Sequence, residues 1–188
     1  MSPKASVART PPNRPWSVPV RRDDVPESGL HLDLTADAAT CAAVAALARV
    51  QAVPRLDATF DIARQGKGLR IDGEVSAAVE QTCVVTLEPM TTEIREPIVL
   101  VFMPAGAAAG LREAEAEKEI DPEAADEPEE LVDGVVDVGA TATEFLLLAI
   151  DPYPRKPGAV FDGPKSDDQG AHPFAALAAL KKSPPDDK

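Results

Sequence analysis

The side chains best suited to metal or nucleophilic chemistry are two cysteines, Cys41 and Cys83, and two histidines, His31 and His172. A structural zinc needs about four such ligands converging as a tetrahedron. No two of these stand at ligand-pair spacing, so no metal is expected. Cys83 has no His or basic residue beside it in sequence to act as the partner base of a nucleophile. His31 sits between Leu30 and Leu32 and reads as structural or exposed. No G-x-S-x-G, Walker-type or dinucleotide glycine pattern occurs, and Gly66-Lys67-Gly68 reads as a hairpin turn. Paired carboxylates abound in 113–133, but a flexible loop does not hold them in reactive geometry. The chain is therefore read as a non-enzymatic protein with no cofactor.

Binding chemistry is better represented. The net charge is −13, unevenly placed. Residues 111–133 carry eleven acids against Arg112 and Lys118, a net of −9. Residues 1–22 carry Lys4, Arg9, Arg14, Arg21 and Arg22 and no acid. An acidic chain is repelled by nucleic-acid phosphates, and its natural partner is a basic protein. The plainer alternative is that the acidic run only solvates a loop. Two cysteines without a disulfide pattern suit a reducing compartment. The basic N-terminus is not followed by an apolar stretch and does not read as a secretory signal. No apolar run is long enough to span a membrane. A cytoplasmic protein is expected.

The elements that must carry such a surface follow from periodicity. Residues 1–17 read as a flexible basic arm. Trp16–Val20 reads as a short edge strand, with Trp16 a packing residue and Pro19 tolerated at an edge. A helix is expected at 36–49, capped by Thr35, with Cys41, Val44, Leu47 and Ala48 as its buried stripe. Leu56, Ala58, Phe60 and Ile62 alternate with polar residues. After Gln65–Gly68, Leu69, Ile71, Gly73, Val75, Ala77 and Val79 do the same, which predicts an antiparallel hairpin with one buried face. A tight segment at 82–90 leads to a third strand from Glu93 to Phe102, with Ile94, Ile98, Leu100 and Phe102 on one side. Pro97 should lie at an edge or a bulge. Residues 104–130 read as a mobile acidic insertion, 131–138 as one strand, and 141–150 as a helix. Thr141 or Thr143 would cap that helix, Glu144 would lie near its positive end, and Asp151-Pro152 would end it. Phe174, Leu177 and Leu180 form the stripe of a last amphipathic helix after a linker. It would either dock on its own domain or bind a partner. The fold class is α+β: one domain at 18–160 with an antiparallel sheet of about four to six strands, then a linker and helix at 161–188.

Three stretches in this order resemble the YceD family of large ribosomal RNA subunit accumulation proteins, in its proteobacterial branch. They are Gly73-Glu-Val-Ser-Ala-Ala-Val-Glu-Gln-Thr-Cys83-Val-Val-Thr-Leu87-Glu-Pro-Met90, then Val136-Asp-Val-Gly139 with the helix through Glu144 and on to Gly158, then Pro173-Phe-Ala-Ala-Leu-Ala-Ala-Leu-Lys181. The resemblance runs from about residue 15 to 181. Many relatives have Cys-x-x-Cys-Leu at the first stretch; here it is Cys83-Val-Val-Thr86-Leu87. A hydroxyl is no soft metal ligand, so no metal or redox role is carried over. Cys83 and Thr86, with Leu87 and Pro89, are read as turn-forming. The resemblance implies a ribosome-assembly role, with a basic ribosomal protein or the pre-ribosomal large subunit as partner. Asp151, Tyr153, Arg155 and Lys156, within Asp151–Pro157, are the candidate surface site, alongside Phe174, Leu177 and Leu180. The alternative for Asp151–Pro157 is a Pro-rich wrap that packs Tyr153 against the core. The alternative partner is ribosomal RNA, met by Arg14, Arg21, Arg22, Arg155 and Lys156.

Overall fold

A computed structural model describes residues 14–104, 128–161 and 163. The arm before residue 14, the acidic insertion at 105–127, His172 and the segment Phe174–Leu180 lie outside the described residues.

The scaffold is a long antiparallel meander. Strand β1 (Pro19–Arg21) precedes β2 (Leu30–Thr35), helix α1 (Ala38–Ala48), β3 (Ala52–Gln65), β4 (Gly68–Thr82) and β5 (Pro89–Pro104). Then come β6 (Glu129–Leu131), β7 (Val135–Asp137) and helix α2 (Val138–Ala149). Strands β2-β3-β4-β5-β6 form one sheet, antiparallel except that β6 runs parallel to β5, and β1 pairs with β7. The α+β class holds.

Alternation made the hairpin. Leu56, Ala58, Phe60 and Ile62 of β3 face inward with Leu69, Ile71, Val75, Ala77 and Val79 of β4. The turn is two residues, with Gln65 opposite Gly68 and Gly66 in the left-handed region. Gly73 lies opposite Phe60, and a Cβ there would meet the Thr59 carbonyl oxygen and come 2.6 Å from the Phe60 ring. The missing side chain is what lets that ring lie on the sheet. Both helices cover this inner face, α1 against β3 and α2 against β4 and β5. Ile94 and Ile98 join the core, with Leu100 packed against it. Beside Pro97, β5 has β4 on one side and no second partner among the described residues.

Four expectations need correction. Strand β2 was not anticipated, although Leu30, Leu32 and Leu34 alternate and pair with Ile62, Phe60 and Ala58. Its pairing takes Thr35, so Asp37 caps α1, accepting the Thr40 N–H at 2.7 Å. The buried stripe of α1 is Cys41, Val44 and Ala45, while Leu47 is 43% exposed. The single strand at 131–138 is two strands in different sheets, because Asp133 and Gly134 turn the chain with φ of 52° and 70°. In α2 the cap is Asp137; Thr141 and Thr143 donate back to the carbonyls of Asp137 and Gly139 inside the helix, and Glu144 sits mid-helix.

Asp137 ties the N-terminal segment to α2. Its carboxylate accepts from Ala140 N–H (3.1 Å), Val18 N–H (2.8 Å), Ser17 Oγ (2.7 Å) and Arg14 (3.2 Å). Partial burial pushes this carboxyl up, but the bonds from Ser17, Val18, Ala140 and Arg14 prevail and hold it below the usual range. Asp137→Ala should cost about 1–3 kcal/mol by chemical denaturation, the sum of a lost cap and orphaned donors. Because the folded value is the lower one, this contribution is present above the ordinary carboxylate range. It is lost as pH falls through the folded value, so the gap between wild type and Asp137→Ala should close in acid.

Candidate functional site

The candidate site is a loop and a wrap locked together. The loop joins β4 to β5. Cys83 N–H donates to the Glu88 carbonyl and Leu87 N–H to the Cys83 carbonyl, each at 2.9 Å. Thr86 N–H points at Cys83 Sγ at 3.5 Å. The chain closes this turn through Leu87, whose φ is 58°. Thr86 Oγ1 reaches Glu88 at 3.5 Å, and Pro89, exposed, starts β5 opposite Thr82.

The wrap is Asp151–Pro157. Ile150 ends α2, and the extended backbone before Pro152 directs the chain back over the loop. Gln81 Nε2 donates to the Asp151 carbonyl at 2.9 Å, and Asp151 Oδ1 accepts the Tyr153 N–H at 2.8 Å. Val84 N–H donates to the Pro154 carbonyl at 2.9 Å, with Pro154 buried. Lys156 N–H reaches Cys83 Sγ at 3.4 Å, and Lys156 Nζ reaches Glu88 at 2.7 Å. The wrap that carries Asp151, Tyr153, Arg155 and Lys156 is thus hydrogen-bonded to the loop that carries Cys83, Thr86, Leu87 and Pro89, about seventy positions away. In space Cys83 meets the backbone N–H of Lys156, while the Lys156 ammonium pairs with Glu88. Tyr153 is not packed on the core: it is 71% exposed, and Pro154 is the residue the wrap buries.

Leu87 is 77% exposed in a backbone region that leucine rarely adopts. Val84 is also exposed in this loop, and Val160 and Phe161 are exposed just beyond the wrap. Sequence reading took Leu87 only as a turn residue and passed over Val160 and Phe161. Their signal was large apolar side chains inside loop composition.

Electrostatics in the clasp favour charge. The Cys83 thiol has no accessible surface, yet hydrogen bonding from Thr86 and the Lys156 N–H lowers its pKa from the ordinary 9.0 to about 6. Lys156 likewise holds the Glu88 carboxyl below the usual range. Among the described residues, no three His, Cys, Asp or Glu side chains converge as a metal site.

The same segments decide the family. A family model described as "Large ribosomal RNA subunit accumulation protein YceD" matches residues 71–181, more than half of the chain. The chain belongs to the YceD family. The match opens inside β4 and takes in the clasp, β5, α2 and Phe174–Leu180. No curated protein and no solved structure matches the chain. Within this YceD chain, the first motif includes the loop and the second includes α2 and the wrap, so two of the stretches that carry the resemblance are hydrogen-bonded to each other.

The depressed thiol sets a stability test. The unfolded thiol titrates near 9.0 and the folded one near 6, so between these values the unfolded state binds more protons. Stability should rise with pH from about 6 towards 9.0. Cys83→Ser, which keeps an acceptor but not the titration, should show a flatter denaturation midpoint across that window.

Proposed function

We propose that this chain is a non-enzymatic, cytoplasmic factor of ribosome biogenesis that supports large-subunit ribosomal RNA accumulation by binding a basic ribosomal protein or an assembly intermediate. Family membership supports the process. The observation that carries the binding surface is Leu87. A left-handed leucine costs roughly 1–2 kcal/mol, and Leu87 stays 77% exposed. Strain that the surrounding hydrogen bonds enforce, displaying an apolar group to solvent, is the mark of a contact surface. Tyr153, with Arg155 beside it, supplies the aromatic and guanidinium character of interface anchors.

Charge supports a basic protein as the first contact. The open face of the sheet carries Asp33, Asp57, Asp61, Asp72, Glu74 and Glu93 against Arg55, Arg70, Arg95 and His31, many of them ion-paired. With the net of −9 at 111–133, this acidic excess would steer a cationic partner. Direct RNA binding is the second reading. Three of its five basic candidates are already engaged: Arg14 with Asp137, Arg22 with the Gly66 carbonyl, and Lys156 with Glu88.

Leu87→Asn separates fold from binding, because asparagine tolerates the left-handed region. Its stability should match or exceed wild type by up to about 1 kcal/mol. Co-sedimentation with large-subunit precursors should fall roughly tenfold, the scale of one interface anchor, and Tyr153→Ser should act the same way. Undiminished association in both variants would remove the clasp as the contact surface.

A further inference from the structure

Helix α1 is a poor surface helix. Its eleven residues include no charge, and Ala38, Ala39, Ala42, Ala43, Ala46 and Leu47 are exposed. A helix apolar on all sides is normally covered. Beside it lies an open groove of about 550 Å³, floored by Cys41 and Ala45 of α1 and closed by Val50, Gln51 and Val53 at the start of β3. Burial and then the carboxylates of Asp37 and Asp57 push the Cys41 thiol up, and Asp37 stands between Ala36 and Ala38 of the groove lining.

The chain also supplies a matching occupant. The last described residue is Gly163, six positions beyond the wrap, and the family match continues to residue 181. That extension contains Phe174, Leu177 and Leu180, followed by Lys181 and Lys182. The ten intervening residues 164–173 reach up to roughly 35 Å when extended. The groove adjoins the loop that the wrap covers: Gln51 donates through its backbone to the Glu80 carbonyl and through Nε2 to Thr82 Oγ1 at 2.6 Å, and the next residue after Thr82 is Cys83.

We propose that Phe174–Leu180 of the same chain docks into the groove between α1 and β3, with Lys181 and Lys182 towards Asp37. The apolar stripe covers the alanine face, and the lysines meet the carboxylate of Asp37, which caps α1 between the groove-lining Ala36 and Ala38. Tethering makes the contact intramolecular, so a small apolar interface suffices.

Cys41 is a built-in reporter. In the full chain, Leu177→Asp should raise the rate of Cys41 alkylation roughly tenfold by releasing the tethered segment. Cys83, buried under the wrap, should keep its rate and so report an intact fold. An unchanged Cys41 rate would overturn the proposal. A second set of variants, Phe174→Cys, Leu177→Cys and Leu180→Cys, identifies the occupant under mild oxidation. A disulfide to Cys41 within one chain is expected from at least one of them. A disulfide that forms only between chains would assign the groove to a second copy and overturn self-docking.

Discussion

The N–H of Lys156 on the sulfur of Cys83 is the contact from which the rest of the surface follows. Together with Val84 on the Pro154 carbonyl and Gln81 on the Asp151 carbonyl, it holds two stretches more than sixty positions apart in one rigid piece. Each bond alone is worth about 1 kcal/mol. Acting together, they make α2 deliver its trailing chain to the β4–β5 loop rather than to solvent. They also fix the loop in the form that leaves Leu87 left-handed and exposed. Display of Leu87 and Tyr153 is thus a consequence of backbone satisfaction beneath them.

Thr86 fits this picture. The backbone of Thr86 points at Cys83, while its hydroxyl turns towards Glu88. Lys156 reaches the same Glu88 and the same sulfur. A loop of this shape therefore stands on hydrogen bonds and one ion pair, with the Cys83 sulfur accepting from both the loop and the wrap.

Much of the fold was legible because period-two alternation leaves little freedom. Phe60 and Ile71 could face only one way once the Gly66 turn was placed. Strand β2 was legible too and was missed, since Leu-His-Leu-Asp-Leu-Thr drew attention to His31 rather than to its own alternation. Helix ends were misjudged where two acceptors competed. Thr35 is a fair cap, but sheet pairing claimed it, and Asp37 and Asp137 took the caps by position. The split at Asp133-Gly134 was written in the glycine but needed the second sheet to be seen. The candidate residues at 83–89 and 151–156 were legible one by one. That they meet was not, because the contact is made by backbone N–H groups that every sequence possesses. The exposure of Leu87 follows from φ alone, which composition does not report.

The central claim is that this surface meets protein before RNA. The direct measurement is isolation of the tagged chain at native level, washed first at low and then at moderate salt. The account predicts that a basic large-subunit protein, or an immature large subunit, stays bound through the moderate-salt wash. Recovery of RNA alone, lost steeply as salt rises in the manner of phosphate contacts, would contradict it.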